Sequence, residues 1–136
     1  MKLQNLADKL LLHTVSYEKG LSKDVSGGYV SDLLSDVLAN CAEGSVWITL
    51  QKHTNIVAVA SLKNLAGIII VGGRELEEEV LKQAEAKEVT IMTSPMSAFE
   101  TAGMIYELLN ETTGPAKVAE RIQGRPTHSH MPLSMR

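Results

Sequence analysis

Apolar positions along the chain switch repeatedly between helical and strand-like spacing. Leu3, Leu6, Ala7, Leu10 and Leu11 recur every three to four residues and predict a first helix, while the short, partly β-branched stretch Leu12 to Ser16 predicts a first strand. Lys19 to Gly28 is polar and holds three glycines, and Val30, Leu33, Leu34, Val37, Leu38 and Cys41 then fall on one helical stripe; a polar loop feeding a helix of about three turns is expected. Val46 to Leu50 and the continuous apolar run Leu65 to Val71 predict two central strands, the second of the kind buried on both faces. Asn55 to Lys63 between them fits either a strand or a buried helix, and its length and alanines favour the helix. After Gly72-Gly73, Glu75 to Lys87 carries Leu76, Val80, Leu81 and Ala84 on one face, with glutamates early and lysines late, as a helix dipole favours. Val89 to Thr93 predicts a fourth strand, and Ser97 to Leu109 a closing helix with Phe99, Ala102, Gly103, Tyr106 and Leu109 facing inward.

Strands alternating with helices predict a single α/β domain whose mostly parallel central sheet is flanked by helices. The pattern ends near residue 110. From Asn110 onward the chain holds three of its four prolines, with four basic against two acidic residues, so the expected division is an α/β domain over 1–110 and a mobile C-terminal tail over 111–136. Within that tail Pro115 to Ile122 allows a short helix with proline at its first position.

Composition narrows the function classes. With 136 residues, 44% of them apolar, the chain has enough material for one packed core and is not a disordered protein. A net charge of −3 argues against nucleic acid as a partner, because domains that neutralise a phosphate backbone are usually clearly basic. The longest apolar run, Leu65 to Val71, falls far short of the roughly 20 residues that cross a bilayer, and the N-terminus lacks the pattern of a signal peptide. A cytoplasmic protein without membrane contact is expected. The single cysteine, Cys41, forms no internal disulfide and belongs to no zinc-site pattern; its place on an apolar stripe predicts a buried small hydrophobe.

Candidate chemistry lies at the expected strand ends and loops. Asp24-Val25-Ser26-Gly27-Gly28, read as a loop opening a helix, suits an anion cradle: paired glycines free the backbone N–H groups to converge, and a helix N-terminus adds partial positive charge. The alternative is a tight loop requiring positive φ, with Ser31 or Asp32 as helix cap. No GxxxxGK[ST] run is present, so the loop is not a P-loop. Asp32 and Asp36, four apart, would stand together on a helix face and could hold a cation or a ribose, or be solvated surface. Thr49, Gln51, His53, Thr54 and Asn55 follow a predicted strand, where ligands bind in parallel α/β sheets, with a sheet-end or capping histidine as the plain alternative. Thr93, Ser94 and Ser97 repeat the theme, Ser97 also fitting a helix cap with Glu100 three residues on. The pair His128 and His130 in the tail, and the six scattered methionines, indicate no metal site.

The runs Val25-Ser26-Gly27-Gly28-Tyr29-Val30-Ser31-Asp32-Leu33-Leu34-Ser35-Asp36-Val37, Val46-Trp47-Ile48-Thr49-Leu50-Gln51 with His53, Asn55-Ile56-Val57-Ala58-Val59-Ala60 and Ser97-Ala98-Phe99-Glu100 together resemble the DRTGG domain over roughly residues 1 to 110. Asp24 to Gly28 stands at the name-giving motif but reads Asp-Val-Ser-Gly-Gly, without the arginine. The resemblance implies a fold similar to the N-terminal domain of HPr kinase/phosphorylase, distinct from that enzyme's P-loop domain and without kinase activity of its own. Such domains also occur between paired CBS domains in regulated pyrophosphatases, where they contribute to dimerisation, and in long phosphotransacetylases. Stand-alone versions tend to be encoded beside iron-only hydrogenase genes in anaerobes.

The expectation that follows is a non-catalytic regulatory or interaction module, a homodimer without a cofactor, binding a small anionic or nucleotide ligand in a pocket formed by Ser26, Gly27, Gly28, Asp32, Thr49, His53 and Asn55. Two alternatives stand beside it. One is a small phosphoryl- or acyl-transfer enzyme using His53 and Asp32. The other is a structural partner in a redox or hydrogenase-associated complex.

Overall fold

The computed structural model describes residues 1–110 and Ile122. Apart from Ile122, the expected tail over 111–136, with its short helix and His128-Ser129-His130, lies outside the described residues. In chain order the elements are α1 (Leu3–Lys9), β1 (His13–Ser16), a 3-10 helix (Glu18–Ser22), β2 (Gly27–Val30), α2 (Leu34–Asn40), β3 (Ser45–Thr49), α3 (Asn55–Leu62), β4 (Gly67–Ile70), α4 (Glu78–Ala86), β5 (Ile91–Thr93) and α5 (Ala98–Leu109). The five strands form one sheet in the order β1-β5-β4-β3-β2. Strands β2 to β5 are parallel, and β1 joins the edge antiparallel to β5.

Side-chain alternation divides the core into two layers. Trp47, Ile68, Ile70 and Ile91 point to the face covered by α2, α3 and α4, where they meet Val37, Ile56, Val57, Ala60, Val80 and Ala84. Val46, Ile48, Ile69 and Met92 point to the other face, against Leu3, Leu6, Ala7 and Leu10 of α1 and Ile105 of α5. Both faces are covered, which explains why β3 and β4 read as continuous apolar runs instead of alternating ones. Burying an isoleucine such as Ile68, Ile69 or Ile70, each fully inaccessible, stabilises the fold by roughly 1.5–3 kcal/mol. At the β1 edge the register slips between Thr14 and Ser16. There the Ser16 hydroxyl donates to Val89 O and accepts from Ile91 N, each at 2.9 Å, so it stands in for the interrupted backbone ladder.

The structure places Asn55–Leu62 in a helix and has the expected mostly parallel sheet, but it corrects three local readings. Gly27-Gly28-Tyr29-Val30 is not loop and helix start; it is the edge strand β2, in register with Ser45–Ile48, and helix α2 begins only at Leu34. Of the expected α2 stripe, Val37 and Cys41 are buried and Leu34 packs against the core, whereas Val30, Leu33 and Leu38 are exposed. On α5 the inward side is Thr101 and Ile105, flanked by Ala98, Ala102, Leu108 and Leu109. Phe99 is 90% exposed and Tyr106 and Gly103 also face outward. Gly28 faces this helix: a Cβ there would lie 3.9 Å from Ile105 Cγ2, an ordinary van der Waals contact.

Candidate functional site at the carboxyl end of the sheet

In a parallel α/β sheet, ligands bind beyond the carboxyl ends of the strands, at the point where successive connections leave for opposite faces. That point lies here between β4 and β5. The segment after β4 leads to α4 on one face, and the segment after β5 leads to α5 on the other. The two segments are tied together by Gly72 N donating to Met96 O at 2.8 Å and Gly73 N donating to Ser94 O at 3.0 Å. Gly72 and Gly73 have φ of +77° and +68°, a conformation that other residues adopt only with strain. These, and not Gly27 and Gly28, are the adjacent glycines whose freedom the backbone uses.

A cleft of about 440 Å3 opens beside this junction, lined by His13 and Val15 of β1, by Gly73, Arg74, Glu75 and Leu76 after β4, by Leu81 of α4, and by Thr93, Ser94 and Pro95 at the end of β5. Register explains how His13 arrives: β1 runs antiparallel, so its first residue pairs with Thr93, the last of β5. A second depression, about 410 Å3, lies between Lys52, His53 and Thr54 and the start of α4, with Glu77, Glu79 and Val80.

The seven residues expected to form one pocket separate into two groups. Gly27 pairs with Ser45 at the start of β3, four residues before Thr49, so about 13 Å of strand separates the two ends. Ser26, Gly27 and Gly28 therefore sit at the amino end, where Ser26 N donates to Gly44 O at 2.9 Å and its hydroxyl to Glu43 O at 3.0 Å. Asp32, Thr49, His53 and Asn55 are at or just beyond the carboxyl end. Asp32 is not on a helix face with Asp36; its Oδ1 accepts from the Thr49 hydroxyl and from Leu50 N, both at 2.8 Å. Gln51 Nε2 donates to Asp32 O at 2.8 Å, so Asp32 knits the β2–α2 loop to the end of β3. His53 Nδ1 accepts from Asn55 N at 3.1 Å at the opening of α3, which places a neutral ring's proton on Nε2.

Asp36 lies apart from these groups. Asn40 foremost, with Ser31 and the Tyr29 hydroxyl, holds its carboxyl below the usual aspartate range, and the same contact with Asp36 raises Tyr29. Tyr29 donates to Asp36 Oδ1 at 2.8 Å, as does Asn40 Nδ2. Ser97 caps α5, accepting from Glu100 N at 3.2 Å while its hydroxyl donates to Glu100 Oε1 at 3.1 Å. Cys41 is buried, and that burial pushes its thiol up. Among the described residues no group of three or more His, Cys, Asp or Glu could hold a metal ion, and no helix is long and apolar enough to cross a membrane.

His13, Arg74, Thr93 and Ser94 formed no part of the expected pocket. Their signal is present in the sequence: Gly72-Gly73-Arg74 directly follows the most apolar strand, and Thr93-Ser94 ends another. What periodicity cannot supply is β1, whose antiparallel return brings His13 to the same edge.

The family model of the DRTGG domain matches residues 14–108. Among solved structures, the chain is similar to the CBS and DRTGG domains of the regulatory region of Clostridium perfringens pyrophosphatase complexed with its activator, diadenosine tetraphosphate, with a TM-score of 0.64 and 16% identity, covering 92% of this chain and 60% of that one. The chain thus spans 60% of that structure's length, and the likeness is one of fold. No match is found among the curated proteins.

Proposed function

The chain belongs to the DRTGG domain family, over residues 14–108, and from that premise we propose that it is a non-catalytic regulatory and interaction module, homodimeric, that responds to a small anionic or nucleotide ligand at the carboxyl end of its sheet. The observation that carries the reading is the engagement of the groups a catalyst would use. Asp32 Oδ1 holds Thr49 and Leu50, while His53 caps α3 and lines a separate depression with Lys52, Thr54, Glu77, Glu79 and Val80. General acid–base catalysis by this pair requires both side chains to reach one reacting atom. The similar pyrophosphatase fragment is a regulatory region complexed with a nucleotide activator, which supports a ligand-responsive role here. Dimerisation is supported by β2, which closes one side of the sheet with no strand beyond it among the described residues and exposes Val30 (52%), with Leu33 of the following loop exposed nearby in sequence.

Sedimentation velocity at tens of micromolar, combined with turnover assays on acetyl phosphate and ATP, tests the reading. A dimer without turnover is expected. A monomer overturns the dimer, and turnover abolished in His53→Ala overturns the non-catalytic assignment.

A further inference from the structure

Two polar regions lie at the carboxyl end of the sheet, and they differ in unused hydrogen-bonding capacity. Around Asp32 the carboxylate, the Thr49 hydroxyl and the Gln51 amide are all engaged with one another or with backbone. Around the 440 Å3 cleft the opposite holds. Among the described residues, nothing hydrogen-bonds or ion-pairs with the Arg74 guanidinium, the His13 imidazole or the Thr93 hydroxyl, and the N–H groups of Arg74 and Glu75 have no acceptor. A lone exposed arginine would be ordinary solvated surface. Here Arg74, His13, Thr93 and Glu75, which carry these donors, all line one cavity at the fold's topological switch point.

The lining also includes four apolar side chains, Val15, Leu76, Leu81 and Pro95. The volume falls within the range of small-molecule pockets. Resting on the reading of a ligand-responsive module, we propose that this cleft binds an organic monophosphate of nucleoside-monophosphate size. Its phosphate sits on Arg74, His13 and the adjoining N–H groups, and its flat or apolar body lies against Val15, Leu76 and Leu81. Arg74 supplies the planar fork that matches phosphate oxygens. Glu75, the one carboxylate in the lining, opposes the further negative charge of a second and third phosphate, so a monophosphate is preferred over a polyphosphate.

The test is a 15N-resolved NMR titration of the full chain with AMP, ATP, inorganic phosphate and adenosine at fixed pH and ionic strength. AMP is expected to move the amide signals of His13, Gly72 to Leu76 and Thr93 to Met96. Phosphate and adenosine should each act more weakly at part of that set. Arg74→Ala, an exposed loop substitution whose fold the same spectra verify, weakens AMP by at least about tenfold, as loss of a charge-assisted hydrogen bond requires; Lys9→Ala on α1 leaves it unchanged. AMP binding that Arg74→Ala does not alter, or shifts centred on Asp32 to Asn55, overturns the cleft assignment while leaving a ligand-responsive module. Tighter binding of ATP than AMP overturns the monophosphate preference. Absence of shifts with all four probes overturns the site altogether, whereas the non-catalytic, dimeric reading falls only on turnover or sedimentation.

Discussion

Asp32 offers the sharpest separation between a residue that builds the carboxyl edge and one that performs chemistry there. Replacing it with alanine removes the acceptor for the Thr49 hydroxyl and for Leu50 N, two hydrogen bonds of 2.8 Å. For a solvent-facing carboxylate each contributes about 1–1.5 kcal/mol net. Thr49 is 1% exposed, so its hydroxyl donor is left unsatisfied at a further cost of about 1 kcal/mol, while water reaching Leu50 N offsets part of the loss. The expected destabilisation is about 2–3 kcal/mol, or a Tm lower by roughly 10 °C. Asp32→Asn keeps an oxygen in place and should cost only about 1 kcal/mol. Urea unfolding followed by tryptophan fluorescence reads both, because Trp47 is the sole tryptophan, fully buried, and its indole N–H donates to Ser31 O at 2.8 Å, one residue from the mutated site. A loss under about 0.5 kcal/mol for the alanine variant, or equal losses for the two variants, would refute the assignment of Asp32 as the acceptor that ties the loop.

Other outcomes follow from the same geometry. Ser97→Ala removes the cap of α5 and should lower stability by about 1 kcal/mol in denaturant titration, with Ser97→Asp close to wild type. Gly72→Ala forces a side chain to φ +77° with its Cβ 3.1 Å from Leu50 Cδ2, and a loss of about 1–3 kcal/mol is expected; a neutral result in the same titration would contradict that backbone conformation. Because folding lowers the Asp36 pKa, its contribution is complete above the unfolded aspartate value, about 3.9, and is lost as pH falls below that through the folded value. Unfolding curves across the acid range should therefore show a shallower decline for Asp36→Asn than for wild type. Cys41, buried and with its thiol pKa raised, should react with a thiol reagent near neutral pH far more slowly in the folded chain than in denaturant.

The parts of the fold legible in the sequence are those where period and burial agree. Ile68 to Val71 read as a two-sided buried strand because both faces are in fact covered, and Ser97 read as a cap because its partner Glu100 is local. β2 is not legible: a Gly-Gly pair signals a turn, yet these glycines are extended and pair in register with Ser45 and Val46. The inward face of α5 differs from the expected one for a related reason. Apolar residues occupy both sides of that helix, and only contact with β2 and β3 selects Thr101 and Ile105 over Phe99 and Tyr106. The expected pocket separated because its two halves were joined on the assumption that Gly27 and Gly28 open a helix at the carboxyl edge. As members of β2 they lie at the opposite end of the strand.

The sheet order also sets how the chain finds its fold. Gly27 pairs with Ser45, Val46 with Gly67 and Ile68 with Ile91, so each parallel neighbour is reached within about two dozen residues of chain. His13 pairs with Thr93, 80 residues away. Two doublings of loop length make that closure about 1.2 kcal/mol more costly in chain entropy than the local ones. Parallel strands β2 to β5 can therefore assemble by successive short steps, whereas β1 joins the far edge only across the longer loop. His13 thus enters the cleft wall through the most distant strand pairing of the sheet, so that wall depends on the pairing with the greatest closure cost.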